Sequence, residues 1–334
     1  MSSGSPRRGV PGPLIGLAIF AIAGAWAVSL AGFVAWSWPE AWALDLLNHF
    51  RCQVALVTAV AALLVGLGRR WRWLLAAVLI LGVNLALIAP LVFGGGRPPI
   101  GDAEVLRLVH FNVLSSNSAY AEVVDHLAAS EADLILVQEV NEAWAEQLAE
   151  VPGYRAHALL PRRDNFGLAI LVASERERVA ISEVELGGGV PALQIDLELQ
   201  RVGLSLLSVH TLPPASADYT RRRDQMLAAA AAWAKRRRRD GVLPVIVGDL
   251  NATPFSGAFR ALVADGELVD SELGFGLQAS WPTEPWLMRV LFSIPIDHLL
   301  HDAGLVTLDR SVGPELGSDH RPLRAELALA RGVR

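Results

Sequence analysis

Three long stretches without a charged residue dominate the first 97 residues of this 334-residue chain. They run from Gly9 to Pro39, from Cys52 to Gly68 and from Trp73 to Gly96. The hydrocarbon core of a bilayer is about 30 Å thick and is crossed by about 20 apolar residues in a helix. The sequence therefore predicts a membrane region over residues 1–97, with spans near 13–38, 53–68 and 73–93.

Two other interpretations of this region stay open at the level of sequence. The stretches also fit a hairpin of buried core helices, and Arg7 and Arg8 before an apolar segment fit a cleaved signal peptide. Three stretches in succession favour membrane spans, and the first is longer than the apolar part of an ordinary signal peptide. The second stretch is short, so we expect it to cross with some bilayer thinning or snorkelling of its flanks.

Residues 40–51 (EAWALDLLNHFR) separate the first two stretches. Their pattern predicts a short amphipathic helix at the membrane interface, with Trp36, Trp38 and Trp42 near the level of the lipid headgroups.

The arginines of the short loops predict the orientation, because basic loops stay on the cytoplasmic side. Arg7 and Arg8 precede the first span, and Arg69, Arg70 and Arg72 lie between the second and the third. Three spans then place residue 98 onward outside the cell, and cleavage of the first span would not change this. We expect a multi-pass protein of the cell membrane with an extracytoplasmic C-terminal domain.

Residues 98–334, about 235 residues, have the composition and length of one large globular domain. They contain 22 basic and 32 acidic residues, a net charge of −10, against +5 for residues 1–97. Cys52 is the only cysteine of the chain, so no intramolecular disulfide can form. The motifs GxGxxG, Walker P-loop, HExxH, GxSxG and CxxC do not occur. Dinucleotide enzymes, NTPases, zincins and α/β-hydrolases are therefore not leading interpretations.

Short apolar runs rich in Val, Ile and Leu recur through this second part and predict buried strands. They are Val105–Val113, Leu134–Val137, Leu168–Val172, Ala192–Leu199, Leu204–Val209, Val242–Val247 and Ile296–Leu300. Helical patterns lie between them at Tyr120–Ser130, Glu142–Glu150, Thr220–Arg238 and Ser256–Asp265. Many strands with few helices favour an α/β sandwich of sheets over a doubly wound fold.

Polar residues stand at the ends of these predicted strands. They occur in the segments HFN (110–112), QE (138–139), VHT (209–211), GDLNATP (248–254), IDH (296–298) and SDHRP (318–322). A buried charge costs several kcal/mol unless it is paired or bound to a metal, so these groups are expected to converge. Carboxylates and amides without cysteine favour Mg²⁺, with Mn²⁺ as the alternative, over Zn²⁺.

These segments, in this order, resemble those of the endonuclease/exonuclease/phosphatase superfamily. The resemblance extends from about Val105 to Leu327, and the pair GDLNATP and SDHRP is its most specific part. DNFG (164–167) also resembles a substrate-side glycine segment of that family. The resemblance implies a DNase I-like α/β fold over residues 98–334: a four-layer sandwich of two mixed β-sheets flanked by helices, preceded here by about three transmembrane helices.

Roles are carried over by position. Glu139 resembles the principal metal ligand, with Asn112 beside it and Asp319 as a second metal-side carboxylate. Asp249 resembles the group that orients or deprotonates the attacking water. The remaining residues resemble phosphate-side groups: His210, Asn251, the pair Asp297 and His320, and Asn165 on the substrate side.

Two points limit this assignment. Abasic-site endonucleases have Asp two positions after the first Asn, where this chain has Leu114, so that activity and a second metal ion are disfavoured. Whether Asp249 or the pair of Asp297 and His320 acts as the base is open.

Several other polar and aromatic residues are not assigned to the site. His110 is expected to be a packing histidine rather than a helper, and His298 and His301 are expected to be structural or exposed. The basic runs 221–223 and 235–239 fit contact with an anionic substrate or lipid, but most such runs are solvated helix faces, which is the expectation here. Trp281 and Trp286 flank a proline-rich loop and fit either substrate selection or loop packing.

The sequence thus predicts a membrane-anchored, Mg²⁺-dependent hydrolase of phosphodiesters that uses in-line attack by water. Nucleic acid and a lipid or other small phosphodiester remain alternative substrates, although a net charge of −10 disfavours nucleic acid. A non-catalytic binding or scaffold protein that retains the fold is the alternative of another class. Besides the membrane and the substrate, no partner is indicated.

A reporter enzyme fused after Arg334 tests the predicted orientation. Because three spans separate the cytoplasmic Arg7 and Arg8 from the C-terminal domain, a phosphatase-type reporter should be active only when it is exported. Activity of such a fusion in the cytoplasm alone would contradict the orientation.

Overall fold

A computed structural model of the protein describes residues 10–38, 40–94, 104–176 and 178–331. Chain contacts divide it into two compact units, one ending at Pro90 and one beginning at Leu91. The predicted boundary between residues 97 and 98 lies outside the described residues, as do Arg7 and Arg8.

The first unit consists of apolar helices. Helix α1 spans Gly12–Ser37, α2 spans Trp42–Asp45, a 3₁₀ helix spans Leu46–Phe50, α3 spans Arg51–Leu67 and α4 spans Trp71–Phe93. Three segments of the described chain are long and apolar enough to cross a membrane: Gly12–Ser37, Trp42–Leu67 and Trp71–Phe93. The three predicted spans therefore coincide with helices of sufficient length.

The second span is longer than its charge-free stretch. Residues 42–50 continue directly into α3, so the helical segment has 26 residues from Trp42 to Leu67. The predicted interface helix over 40–51 is therefore largely part of this segment. No bilayer thinning is needed, because 26 residues in a helix span almost 40 Å.

A buried polar cluster joins the helices of this unit around Arg51. The Arg51 guanidinium donates to Asn48 Oδ1 at 2.5 Å and to Asn84 Oδ1 on α4 at 3.3 Å. Asn84 Nδ2 in turn donates to Ser29 Oγ on α1 at 3.1 Å. Gly32 leaves room for the cluster, since a Cβ there would lie 2.1 Å from Asn48 Oδ1.

The second unit alternates strands and helices. The strands are β1 (Leu106–Asn112), β2 (Leu134–Gln138), β3 (Tyr154–Leu160), β4 (Leu168–Ala173), β5 (Val179–Val184), β6 (Ala192–Leu199), β7 (Val202–Val209), β8 (Leu243–Asp249), β9 (Leu268–Asp270), β10 (Asp297–Asp302), β11 (Leu305–Val312) and β12 (Leu323–Leu329). The helices are α5 (Tyr120–Ala128), α6 (Glu142–Leu148), α7 (Ala217–Arg239), α8 (Gly257–Gly266) and α9 (Trp286–Phe292).

The strands form two mixed sheets of six strands each. The first has the order β11-β12-β1-β2-β4-β3, and the second has the order β5-β6-β7-β8-β10-β9. In each sheet one central pair is parallel, β1 with β2 and β7 with β8, while the neighbouring pairs are antiparallel. The carboxyl ends of these parallel strands carry Asn112, Gln138 and Asp249.

Three apolar cores define four layers. Leu106, Leu134 and Ile170 of the first sheet pack against Ile195, Val245 and other residues of the second. Helices α5 and α6 cover the outer face of the first sheet through Val123, Leu127 and Trp144. Helices α7 and α8 cover the second sheet through Met226, Trp233, Phe259 and their neighbours. The predicted four-layer α/β sandwich of two mixed sheets is confirmed.

Gly248 is the penultimate residue of β8 and directly precedes Asp249 at the polar ends of the strands. Its φ is +153°, and a Cβ at this position would lie 1.9 Å from the Val209 carbonyl oxygen and 2.6 Å from Gln138 Nε2. Neither atom can retreat easily, because Gln138 Nε2 donates to that same carbonyl at 2.9 Å. Glycine is therefore required here by the close approach of main chain and amide.

Gly248→Ala should lower the unfolding free energy by about 2–5 kcal/mol, through overpacking and backbone strain together. The measurement is thermal unfolding of the purified full chain. Gly203→Ala is the matched control, since its Cβ would meet Val242 at an ordinary 3.6 Å. Equal melting temperatures for the two variants would contradict the required glycine.

Candidate active site

Strand alternation places the polar strand ends between the two sheets. On β1, Leu106 and Leu108 belong to the core between the sheets, so His110 and Asn112 share their face. On β8, Val245 and Val247 take the same position, and Asp249 follows them with the same parity. Asp297 on β10 likewise shares the face of Leu299. The period of two therefore brings residues far apart in sequence to one edge of the sandwich.

Asp297 is held between two histidines. Its Oδ1 lies 2.8 Å from His110 Nε2, and its Oδ2 lies 2.8 Å from His320 Nδ1. All three residues are buried. His110 and His320 belong to chain segments of the first sheet, so this carboxylate of the second sheet links the two sheets at the site. His110 is thus a buried histidine satisfied by a hydrogen bond, as predicted, and that bond makes it part of the polar cluster.

Asp249 lies on the other side of His320. Its Oδ2 is 3.6 Å from His320 Nε2, 3.6 Å from His210 Nε2 and 3.4 Å from Asn112 Nδ2. Its Oδ1 accepts the main-chain N–H of Asn251 at 2.9 Å. Its main-chain N–H donates to Gln138 Oε1 at 3.1 Å. The buried Asp249 carboxylate therefore lies near His320, His210 and Asn112 and is held by the main chain of Asn251.

The buried charges shift one another's pKa values in opposite directions. Burial raises the pKa of Asp249 to about 7, although His320 opposes the shift. Burial would lower the pKa of His320, but Asp297 and Asp249 outweigh it and raise the pKa to about 10. Burial would raise the pKa of Asp297, but the charge of His320 and the hydrogen bonds from both histidines hold it well below its usual range. His320 therefore lies between two carboxyl groups that favour its protonated form.

His210 is a neutral histidine in the same cluster. Burial and the neighbouring charge of His320 lower its pKa to about 3. Its ring packs against Phe166 with 4.9 Å between the ring centroids. A neutral imidazole beside Asp249 can donate one hydrogen bond without adding charge.

Glu139 and Asn112 are neighbours, as the sequence predicted. Asn112 Nδ2 donates to Glu139 Oε1 at 3.1 Å. Glu139 Oε2 accepts from the main chain of Ser115 at 3.1 Å and from its hydroxyl at 3.3 Å. The Ser115 hydroxyl also contacts Asn165 Oδ1 at 2.6 Å. Asn165 is exposed and is connected to Glu139 through the side chain of Ser115.

Asp319 lies beside the cluster and has a partner of its own. Its Oδ2 accepts from Trp281 Nε1 at 2.9 Å. Its Oδ1 is buried and has no hydrogen-bond partner among the described residues. A buried carboxylate oxygen without a donor is a position that a cation would satisfy.

Asn251 is held in place by hydrogen bonds with Thr211 and Arg223. Its Nδ2 donates to the Thr211 carbonyl at 2.9 Å, and its own carbonyl accepts from Arg223 Nη1 at 3.0 Å. Arg223 is 1% exposed, so the predicted solvated face over 221–223 is wrong at this position.

Two of the five basic residues in the run 235–239 pair with the protein's own acids. Arg237 contacts Asp196 and Asp240, and Arg238 contacts Asp302 and Glu267. These cations therefore do not form a free positive groove.

The DNFG segment and the histidines His298 and His301 make their contacts within the protein. Asp164 forms a two-pronged pair with Arg162, at 2.9 and 2.5 Å. Gly167 of the same DNFG segment is required, since a Cβ there would lie 1.8 Å from the Val140 carbonyl oxygen. His298 and His301 are buried and bonded to main-chain carbonyls, which agrees with a structural role.

The residues of this edge fit a divalent cation. Glu139 and Asn112 lie in contact, and the buried Oδ1 of Asp319 has no donor, so these residues offer oxygen atoms to an ion. Ligand atoms of Asp249, Asp297 and His320 also lie within 4.8 Å of one another, but His320 is engaged with both carboxyl groups there. The donor set consists of oxygen and nitrogen atoms without cysteine, which suits a hard cation such as Mg²⁺ or Mn²⁺. Asp270, Glu272 and His298 form a second buried group of this kind, but Arg310 already lies 3.9 Å from Glu272.

Sequence reasoning missed three contributors: His110, Ser115 and Gln138. Gln138 and His110 share the strand ends and inward faces of the predicted residues, so their parity was a usable signal. Ser115 lies in a loop, and nothing in its local sequence distinguishes it from an ordinary turn residue.

Two mixed sheets with buried acids and histidines at one edge define the class of DNase I-like phosphoesterase folds. A model of the endonuclease/exonuclease/phosphatase family matches residues 109–320, which include every buried residue of the cluster. The chain belongs to this family.

Solved structures with the same fold come from proteins of different activity. The human nocturnin catalytic domain, with a bound sulfate anion, has a TM-score of 0.52 at 14% identity and covers 70% of this chain and 100% of its own. D. rerio TDP2 in complex with a single-strand DNA product has 0.50 at 14%, with 67% and 99% covered. The mannosyl-6-phosphatase of Bacteroides thetaiotaomicron has 0.50 at 15%, with 66% and 99% covered. No curated protein matches the chain by sequence. At these identities the similarity establishes the fold and not the substrate.

His110→Phe tests the linkage through Asp297. A packing histidine would tolerate phenylalanine, but loss of a hydrogen bond to a buried carboxylate should lower the unfolding free energy by about 1.5–3 kcal/mol. His157→Phe, at an exposed position of β3, is the control and should leave the melting temperature of the full chain unchanged. An unchanged melting temperature for His110→Phe would mean that His110 serves packing alone.

Proposed function

We propose that the protein is a membrane-anchored, Mg²⁺-dependent phosphoesterase that hydrolyses phosphodiesters by in-line attack of water. The observation that carries the proposal is the buried cluster in which His320 lies between Asp297 and Asp249, with Asn112 and Glu139 adjacent. Such a concentration of buried ionisable groups at a strand-end edge is costly for stability and is typical of active sites.

In this proposal Glu139, Asn112 and Asp319 hold the metal ion. Glu139 and Asn112 are already in contact, and the unpartnered Oδ1 of Asp319 supports its role. When bound, Mg²⁺ neutralises charge on the phosphate oxygens and stabilises the leaving oxygen. Mn²⁺ has the same ligand preference and is the alternative ion.

The other residues act on water and phosphate. Asp249 orients the attacking water and accepts its proton, because its carboxylate is buried, raised in pKa and free of a direct ion pair shorter than 3.6 Å. His320 donates to a phosphoryl oxygen, and Asp297 holds its ring through Nδ1. His210 and Asn251 donate further hydrogen bonds to the phosphate, and Asn165 contacts the substrate at the exposed rim.

This arrangement favours Asp249 over the pair of Asp297 and His320 as the base. Two carboxyl groups beside His320 favour its protonated form, which suits a hydrogen-bond donor better than a proton acceptor. The pair therefore stabilises negative charge on the phosphate, and proton removal falls to Asp249.

The proposed organisation is a membrane region over residues 1–97 and a catalytic domain over residues 98–334 that faces outside the cell. The three apolar helices support anchoring. The substrate is either nucleic acid or a lipid or small phosphodiester, and relatives of the fold include proteins that bind a DNA product or hydrolyse a sugar phosphate. The pairing of Arg237 and Arg238 with internal acids weighs against nucleic acid, which needs free cations.

A substrate screen tests the activity. The full chain with Mg²⁺ should hydrolyse at least one of plasmid DNA, RNA, sphingomyelin, phosphoinositides and an aryl phosphodiester. Failure on all of them, with Mg²⁺ and with Mn²⁺, would favour the non-catalytic binding protein.

Glu139→Gln and Asp249→Asn should separate metal binding from catalysis. Glu139→Gln should weaken Mg²⁺ binding and lower kcat by at least about 10²-fold, while Asp249→Asn should lower kcat by about 10²–10⁴-fold with metal affinity less affected. Because each change removes a repulsive acid, the metal-free melting temperature should hold or rise.

The measurements are kcat and the rise in melting temperature with Mg²⁺, which should shrink most for Glu139→Gln. Glu146→Gln on the exposed face of α6 is the control and should resemble the parent. Parent-like turnover and Mg²⁺ dependence in Glu139→Gln would show that its assignment as a ligand is wrong. Unfolding of both variants would make these acids structural.

A further inference from the structure

Helix α9 exposes almost all of its apolar side chains. Its sequence is WLMRVLF, and none of its residues is buried. Trp286 is 67% exposed, Val290 64% and Leu291 47%, and the other three apolar residues, Leu287, Met288 and Phe292, are between 39% and 51% exposed.

No other part of the catalytic unit resembles it. Among the described residues from 104 onward, the large apolar side chains exposed to a similar degree outside α9 are Tyr219 and Leu277. They are single positions, whereas α9 presents six such side chains in seven consecutive residues. A contiguous patch of this kind on a soluble domain marks an interaction surface.

Helix α9 lies in the loop segment 281–294, whose two ends lie near the candidate active site. Trp281 and Ile294 pair as an isolated antiparallel bridge, which closes the base of the segment 281–294. Trp281 Nε1 donates to Asp319 Oδ2 at 2.9 Å, and Thr283 N–H donates to the Asp319 carbonyl at 2.9 Å. Asp297 follows three residues after the bridge. The segment that carries α9 is therefore anchored to Asp319 at its start and leads into Asp297 at its end.

The chemistry of α9 identifies one occupant, a lipid bilayer. Its one charged side chain, Arg289, is paired with Glu315, so the surface presents no uncompensated charge to an apolar phase. Trp286 and Phe292 at its two ends are residue types that favour the membrane interface. The same chain has three segments able to cross a membrane, and only 12 residues separate the end of α4 from the start of β1. Such a connection reaches at most about 45 Å, so a domain anchored by these segments would stay close to the bilayer surface.

We propose that α9 inserts into the interface of the bilayer in which the chain is anchored, and that the active site consequently acts on phosphodiesters carried by lipid headgroups. The second clause rests on the function proposed above and selects one of its two substrate classes. The first clause concerns a binding surface only and stands without catalysis.

Site-directed fluorescence in proteoliposomes tests the insertion. In a Cys52→Ser background, Leu287→Cys and the control Gln147→Cys on the exposed face of α6 are each labelled with an environment-sensitive dye. Doxyl-labelled phosphatidylcholine should quench the label at 287 at least about twofold more than the label at 147, and aqueous iodide should show the reverse order. Equal accessibility of both labels to iodide would overturn the proposal. Protection from iodide that depends on protein concentration, without quenching by lipid, would also overturn it and identify a second copy of the chain as the occupant.

A double substitution tests the consequence for substrate. Trp286→Gln with Leu291→Gln should lower headgroup release from vesicles of phosphatidylcholine, phosphatidylglycerol and sphingomyelin at least about 10-fold, with hydrolysis of a soluble aryl phosphodiester unchanged. Tyr219→Gln with Leu277→Gln is the matched control and should change neither rate. A parent-like rate on vesicles, or an equal loss on both substrates, would overturn the lipid assignment. If the parent chain hydrolyses neither substrate, the proposed function is wrong, and the quenching measurement alone decides the insertion.

Discussion

The carboxylate of Asp297 has to be paired, and the arrangement of the site follows from that requirement. It is 1% exposed, and an unpaired charge at such a position would cost several kcal/mol. Both partners, His110 and His320, belong to segments of the opposite sheet, so pairing the charge also fixes the two sheets at this edge. The other nitrogen of His320, Nε2, lies 3.6 Å from Asp249 Oδ2. His320 is therefore a neighbour of both carboxylates. One hydrogen-bonded triad thereby sets both the packing of the sandwich and the spacing of its acids.

Prediction of the fold from sequence succeeded for strands that are covered on both faces. The seven predicted strands all exist, and they occupy mostly central positions, where a strand reads as a continuous apolar run. The missed strands β3, β5, β9 and β11 lie at sheet edges. There alternate residues face solvent, so Val179–Val184 (VAISEV) carries a weaker signal, and β9 has only three residues. The missed β12 is second from an edge, and its sequence LRAELAL suits a helix as well as a strand. Pairing with β1, which is remote in sequence, decides its conformation.

The candidate site was predictable where a residue follows a strong strand, and unpredictable where its role depends on a distant partner. Asn112, Glu139 and Asp249 lie at or within two residues of the ends of apolar runs, and the structure brings them together. His110 has the same parity as Asn112, but its importance comes from Asp297, 187 residues later. The same limit applies to Arg223. It belongs to a basic run of the kind that usually forms a solvated helix face, but its side chain is buried and supports Asn251. Local pattern identifies which groups face inward, while tertiary contact decides what they meet.

The cluster around Arg51 bears on how the membrane region is made. A guanidinium in hydrocarbon is expensive to leave without partners. Asn48 is close in sequence, but Asn84 lies 33 residues further along and belongs to the last of the three apolar helices. During synthesis the second helix therefore emerges before one of the groups that satisfies its cation exists. The second and third apolar helices are thus linked by a hydrogen bond that can form only when both have been made.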